Sequence, residues 1–559
     1  MSIVKYRSAI LLGIGLAAAV GNFFCSTVNV AGGTSSTDNG KVLGSVCDMN
    51  GLPASNTEVT LHSAFFNPNQ DTGAPAVDTT DSAGAYGFDS LSPGVYTITA
   101  VALESRTRAL INSVMVDSST THVPVASLTR PGALEAEVES CSNGSCYVYI
   151  PGTSLYGMVR DGIGRIDSVP AGMVPAVYYA DLADPTSLHS IKTGVTVGSG
   201  ITRVITDYTM WSHSARVYLN TTHSGAGVSD NVYDFPVLVR LSEANFDFGA
   251  AGKNGADVRF IKPDETPFAY EIERWDAAAE EAEIWVMVDT VFGNDSTHFF
   301  VMYWGNPSAA SASNSATVFD TAAGFEGVWH LSGEGNATAF DATGNHYDGI
   351  PSNMTNASAI AGIIGSARSF NGSSSYITMP STSESKLNFP QNGTYTMSLW
   401  AYADTLDTLW RAIAGKGHEQ YYMQLKCLGE GRATWEFVEF QDNRGWEYTE
   451  DSVPSAPGAG EWLHIVGVRD GKNQRLYING EEVVDTASLM EGEYPRDSSD
   501  DFSIGRFGHQ VVIPSEQGWS YFDGMIDEVR VTRRALTAGM IRLSYMNQKA
   551  DDALVRIRQ

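Results

Sequence analysis

The sequence predicts an all-β protein made of tandem β-sandwich modules, on three observations. Apolar and polar residues alternate with period two in segment after segment, as in "ADVRF" and "EIWVMV", the pattern of strands with one face toward a core. Asn-Gly and Asp-Gly pairs, at Asn50-Gly51, Asn371-Gly372, Asp470-Gly471 and Asn479-Gly480, stand between such segments where hairpin turns need positive φ. A stretch also repeats: "GAYGFDSLSPG" (84–94) aligns without gaps on "GIGRIDSVPAG" (162–172), with Phe88 on Ile166 and Leu91 on Val169.

With 559 residues the chain exceeds one hydrophobic core and is expected to hold several domains. Its 35 basic against 64 acidic side chains, a formal charge of −29, repel polyanions, so nucleic acid is not an expected partner. Lys5 and Arg7 precede the small and apolar run Ala9–Val20, which is too short to span a bilayer and has the layout of a signal peptide over 1–25. The Gly/Ser/Thr-rich 26–39 reads as a flexible tether. Cys25, just before the tether, resembles the lipidated cysteine of bacterial lipoproteins, although Phe23 and Phe24 replace the small residue usual there; cleavage after Gly21 is the alternative. The expectation is an exported protein, either a cell-surface or outer-membrane lipoprotein held to the membrane by a lipid anchor, or secreted. In that oxidising setting Cys141 and Cys146, which bracket "SNGS", are spaced for a disulfide across a hairpin.

The first module, 40–128, opens with "KVLGSVCDMNGLPASNTEVTLHS", two alternating runs around Asn50-Gly51, and continues through the repeat into "PGVYTI". It resembles the transthyretin-like, carboxypeptidase regulatory-like sandwich family, whose members act as stalks or spacers. The second copy, 129–207, is degenerate: Pro175 in "AGMVPAVYYA" removes a backbone donor where a strand interior is expected. Asp89 and Asp167 recur at one place in the repeat and are expected to accept turn amides.

Residues 212–318 carry "DVRF", "YEIERWD", "IWVMV" and "YWGN" and resemble a bacterial β-rich domain of unknown function. Trp275, Trp285 and Trp304 sit in its alternating strands and are expected to be core.

From residue 319 to 547 six ordered blocks follow, among them "FDATGNHYDG", "SARSFNGSSSYITMP", "EWLHIVGVRDGKNQRLYINGEEV" and "FDGMIDEVRVTRRAL". In order and spacing they resemble LamG-like, concanavalin A-like jelly rolls, which implies two stacked antiparallel sheets. Residues 548–559 are left as a tail. The resemblance also implies a calcium site between the start and end of the module, for which Asp341, Asn345, Asp348 and Asp527 supply oxygens; the competing reading is that Asp341 and Asn345 only shape a Gly-rich turn.

Catalytic patterns are not found. Asp527 and Glu528 are adjacent on a strand, where neighbours point to opposite faces, so they are not expected to form a glycosidase dyad. Glu436, Glu439 and Asp442 at spacing three fall on mixed faces, and no GxSxG, HExxH or phosphate-loop motif is present. What remains is a binding protein. Polysaccharide or a surface glycan is the expected ligand, taken up by rings and planar polar groups of the jelly roll: Trp410, Tyr421, Arg432, Trp435, Asn443, Arg444, Trp446 and Tyr448. Surface proteins are the alternative partners.

Overall fold

The structure, a computed structural model, describes residues 40–558 apart from 139–140, 142–143, 185–187, 207, 264–265, 381–384, 390–392, 418–419, 430–431, 442–444, 451–458, 472, 484–486, 489–498 and 508–518; for 209, 441, 445–450, 487–488 and 519–520 it describes the backbone. The lipidation candidate Cys25 and the signal and tether segments lie outside these residues. The chain divides into two compact units, Met1–Asp207 and Tyr208–Gln559. Antiparallel sheets dominate both, as expected.

The repeat in the first unit is structural. Strand Gly40–Cys47 pairs antiparallel with Ala85–Leu91 and parallel with Thr120–His122. In the second copy Gly132–Glu137 pairs in the same two ways with Ile163–Val169 and Thr202–Thr206. Both copies shift register before the end of the repeat strand, and there Ser90 (φ 61°) and Ser168 (φ 59°) take the left-handed conformation. Asp89 and Asp167 do not accept turn amides there; they form exposed ion pairs with Lys41 (2.9 Å) and Arg165 (2.8 Å). Pro175 is accommodated because strand Gly172–Asp181 is paired with Cys146–Tyr149 only over residues 178–181, so on that side its missing donor has no ladder to break. Cys141 and Cys146 are joined, with Cα atoms 5.9 Å apart.

In the second unit the region before the jelly roll is itself a sandwich. Its three-stranded sheet runs Val232–Ser242, Glu281–Val291, Tyr270–Asp276, and its four-stranded sheet runs Arg259–Ile261, Phe299–Trp304, His213–Leu219, Val555–Arg558. The last strand comes from the segment expected to be a tail. Leu554 is fully buried in this sandwich's core, so the chain returns after the jelly roll to close the preceding domain. Four alternating residues carry too weak a period to announce that from sequence. Trp304 is buried in this core and Trp275 packs against it, while Trp285 is buried on the other side of the three-stranded sheet, as expected of core tryptophans.

The jelly roll stacks a nine-stranded sheet, which includes Thr394–Ala403, Trp462–Asp470 and Asp523–Thr532, on an eight-stranded sheet, which includes Trp410–Lys416, Tyr421–Gly429 and Arg432–Gln441. Between them lies a core containing Trp329, Leu399, Trp435, Ile465, Leu476 and Ile526. Buried inside it, Arg469 pairs with Glu439 at 2.7 Å, and Glu439 also accepts the Tyr395 hydroxyl at 2.6 Å; a buried ion pair of this kind needs such added hydrogen bonds to offset desolvation.

The boundary at 318/319 does not separate two independent bodies. Leu238 and Trp285 of the first sandwich share one buried cluster with Phe325, Val328 and Ile364 of the jelly roll. Helix Ala538–Gln548, capped by the Thr537 side chain on Met540 N–H, places Leu543 in the core of the first sandwich and Ile541 against Val466 and Tyr477 on the jelly-roll sheet face opposite its core. At its end the Asn547 carboxamide accepts from Leu238 N–H (2.7 Å) and donates to Leu238 C=O (2.9 Å), taking the place of a strand partner. No described helix is long and apolar enough to cross a membrane.

Candidate functional site

Two places in the second unit gather chemistry-bearing side chains. The first is the outer face of the eight-stranded sheet. Alternation along Tyr421–Gly429 sends Tyr421, Met423, Leu425 and Cys427 into the core, leaving Tyr422, Gln424 and Lys426 on the other face; along Arg432–Gln441 the core takes Ala433, Trp435 and Phe437, leaving Thr434, Glu436 and Val438. Cross-strand register sets Lys426 beside Trp410 and Gln424 beside Glu436. The Lys426 ammonium lies 5.1 Å from the Trp410 ring centroid and 2.9 Å from Glu436 Oε1, and Gln424 donates to the other Glu436 oxygen. Trp410 is half-buried, and Arg432 is exposed at the end of its strand. Gln424 and Glu436 are each only 3% exposed, and Gln424 Oε1 and Thr434 Oγ1 are buried atoms without a hydrogen-bond partner.

Of the expected ligand residues, Trp410 and Arg432 thus fall on or beside this face. Tyr421 and Trp435 do not: both are buried in the core, with the Tyr421 hydroxyl donating to Leu387 C=O at 2.9 Å, so neither ring is available to a ligand. Asn443 and Arg444 lie outside the described residues. Trp446 and Tyr448 belong to strand Gly445–Glu450, in register opposite Phe440 and Val438. Sequence reasoning missed Gln424 and Lys426, whose only signal was their alternation with core residues. Glu436 and Glu439 stand on opposite faces, as spacing three requires; Asp442 is outside the described residues.

The expected calcium ligands do not converge. Asp341 accepts from Val328, Thr343 and Tyr347 N–H (2.9–3.0 Å) and from the Thr343 hydroxyl, while Asp348 accepts from Asp341 N–H, so these two shape their turn. Asn345 donates to Glu326 and accepts from Lys386 Nζ. Asp527 is fully buried elsewhere, its Oδ2 accepting from Ile363 and Ile364 N–H at 2.9 and 3.1 Å.

The second place follows from a correction to the strand geometry of Asp527 and Glu528. Glu528 has φ 52°, and the register against Thr394–Ala403 slips between Ser398/Arg530 and Trp400/Asp527. This bulge breaks the period of two. Ile526, Val529 and Val531 enter the core, whereas Asp527 and Glu528 both leave it on the face turned to the preceding sandwich. There Glu528 Oε1 is 2.7 Å from His330 Nδ1, and Arg530 donates to Glu528 Oε2 at 2.6 Å. Glu273 Oε2 accepts from the Trp285 indole at 2.7 Å and is 3.4 Å from His330 Nδ1; Glu271 is 3.3 Å from His330 Nε2. The Arg530 guanidinium lies 4.2 Å from the Trp285 ring centroid. Burial pushes Glu273 and Asp527 above the usual carboxylate range. Burial acts the same way on Glu528, but the His330 and Arg530 charges outweigh it and hold that carboxyl low. Burial disfavours a charged His330, yet the three glutamates around it prevail and raise it well above its ordinary value. Sequence separation hid this cluster: Glu273, His330 and Glu528 come from three distant strands or loops.

Comparison with known proteins places names on this architecture. Residues 371–542 match the family model of the concanavalin A-like lectin/glucanases superfamily, and residues 254–356 match a domain of unknown function, DUF2341. The C-terminal sandwich is therefore a LamG-like, concanavalin A-like domain preceded by a DUF2341 domain. No curated protein matches the chain. Among solved structures, the chain is similar to domain 4 of AbnA, a GH43 extracellular arabinanase from Geobacillus stearothermophilus in complex with arabinotriose, at 21% identity over 39% of this chain and 97% of that one, TM-score 0.29. It is also similar to the binding domain of Paraclostridial Mosquitocidal Protein 1 (17% identity, 40% of this chain and 53% of that one, TM-score 0.31). A third is the botulinum neurotoxin serotype D ligand binding domain in complex with N-acetylneuraminic acid (14%, 40% and 51%, TM-score 0.28). The chain spans about half the length of the two toxin domains.

Proposed function

We propose that this is a non-catalytic, exported surface protein whose concanavalin A-like domain binds a polysaccharide or surface glycan, with the two N-terminal transthyretin-like modules as a spacer and Cys25 as the lipid anchor. The observation that carries the reading is the outer face of the eight-stranded sheet. A partly exposed ring, Trp410, stands beside the Lys426 ammonium there, with the exposed guanidinium of Arg432 at the end of its strand, while Glu436, itself held by Gln424 and like it only 3% exposed, fixes the ammonium from beneath. Sugars need that combination: a ring face for their C–H groups and planar polar groups for their hydroxyls.

A non-catalytic role is supported by how the acidic residues are engaged. Glu439 is locked in the core by Arg469 and Tyr395, and Glu436 is held by Lys426 and Gln424. Asp527 and Glu528 share a face but are fully buried. A hydrolytic pair would have to flank a substrate bond across an open cleft.

Glycan-array binding of the full-length protein tests the reading. Trp410→Ala is expected to weaken binding several-fold, since a stacked ring contributes on the order of 1 kcal/mol, while leaving the melting temperature within about 1 °C. Absence of binding to every glycan, or unchanged affinity in a folded Trp410→Ala variant, overturns this assignment.

A further inference from the structure

We propose that Glu273, His330 and Glu528 form a binding site for a first-row divalent cation of the zinc kind, set between the DUF2341 domain and the concanavalin A-like domain. One imidazole nitrogen and one oxygen from each carboxylate lie within 4.8 Å of one another, in the one group of three or more acidic, histidine or cysteine side chains that converges in this way among the described residues.

Two observations besides the cluster point to a cation. Glu273 Oε1 and Asp527 Oδ1 are buried carboxylate oxygens with no hydrogen-bond partner, and the Glu273 side chain is only 1% exposed. Buried polar atoms are rarely left so, and a buried anion is costly unless paired. A cavity of about 150 Å³, lined in part by Glu271, Glu273, His330 and Asp341, adjoins the cluster and offers an entry path and room for a water ligand.

The geometry suits the chemistry. Donors about 2.1 Å from a tetrahedral zinc stand roughly 3.4 Å apart. His330 Nδ1 is already 3.4 Å from Glu273 Oε2, and it needs to part from Glu528 Oε1, now at 2.7 Å, by a fraction of an ångström. Glu273 Oε2 also accepts from the Trp285 indole at 2.7 Å, and a carboxylate oxygen with two lone pairs can accept that hydrogen bond and hold a cation together. Glu271, 3.3 Å from Nε2, supplies the carboxylate that commonly orients a metal-bound histidine from its other nitrogen. Imidazole among the donors favours zinc, manganese or iron over calcium and magnesium, which prefer oxygen alone. Binding displaces the proton that His330 otherwise shares with the glutamates, so protons are released as metal enters.

The test uses the full-length protein, stripped with chelator, and zinc chloride alone in isothermal titration, with cobalt chloride absorption as a second readout. The expectation is one zinc per chain at micromolar or lower dissociation constant, an observed heat that varies with the buffer's ionisation enthalpy because protons are released, and a cobalt spectrum of low coordination number. Glu528→Gln and His330→Gln should abolish the site. Should either fail to fold, Glu271→Gln, which only orients His330, should still bind but about 10- to 100-fold more weakly. Absence of saturable zinc binding below about 100 μM, or binding unaltered in all three variants, overturns the proposal and leaves an imidazolium clamped by glutamates.

Discussion

Replacing Asn547 by alanine isolates the lock between the two domains of the second unit. The side chain is fully buried and satisfies both backbone groups of Leu238, at 2.7 and 2.9 Å, and its amide also reaches Asp552 at 3.1 Å. Alanine leaves a buried N–H and a buried C=O without partners. Each such group costs about 1–3 kcal/mol, so the loss is roughly 2–6 kcal/mol. A unit of about 350 residues, at about 2.1 cal/mol/K per residue, has an unfolding entropy near 0.7 kcal/mol/K, so a mid-range loss of about 4 kcal/mol lowers its melting temperature by roughly 5 °C. Differential scanning calorimetry of the full-length protein resolves this, because only the transition of residues 208–559 should move. Asn547→Asp supplies a control: the carboxylate still accepts from Leu238 N–H but cannot donate to Leu238 C=O, so its loss should grow as pH rises and the new acid ionises. A shift below about 1 °C for Asn547→Ala would refute the reasoning, showing that water or a small rearrangement replaces the carboxamide.

Burial, against hydrogen bonds from Leu554 and Val555 N–H, raises Asp552 to about 6. The folded state therefore holds this proton more tightly than the unfolded chain, and ionisation removes stability progressively between about pH 4 and pH 6. Stability curves of the wild type and Asp552→Asn should converge in shape below pH 4 and diverge across that window; parallel curves refute it. An excised 319–547 fragment loses part of its core. Because Phe325, Val328 and Ile364 share a core with Leu238 and Trp285, it should melt well below the 208–559 fragment, and equal melting temperatures would show that the shared cluster adds nothing. Intact-mass analysis of the protein isolated from the cells that make it should show a diacylglyceryl adduct starting at Cys25; an unmodified Asn22 start removes the anchor, and retained Met1 removes export altogether.

Much of the architecture is local and was legible in the sequence. The repeat fixes two copies with equivalent strand pairings, in which even the left-handed serines, Ser90 and Ser168, recur, although the first copy splits into two four-stranded sheets and the second joins its strands in one seven-stranded sheet. The Asn479-Gly480 turn has positive φ at both residues (51° and 80°), as the dipeptide requires. Period two correctly placed Trp435 and Glu436 on opposite faces.

It did not say which face is core, since both sides of a jelly-roll sheet carry buried residues; hence Tyr421 and Trp435 were read as ligand rings when they are packing. Nor did it reveal the bulge at Glu528, because glutamate carries no signal for φ of 52° and the register slip shows only in the pairing with a strand more than 100 residues earlier. One residue out of register was enough to turn Asp527 and Glu528 to the same side.

The sequence by itself determined the all-β class, the concanavalin A-like domain and the domain of unknown function before it, the hairpin turns and the Cys141–Cys146 pairing, all of which depend on residues near one another in the chain. Only the tertiary structure decided that residues 554–558 complete a domain begun more than 300 residues earlier, and that Glu273, His330 and Glu528 meet. The physical reason is the same for both: a short strand, or a lone acid or histidine, has no periodicity of its own, and gains a partner only when distant strands are brought together by burial of the cores on either side.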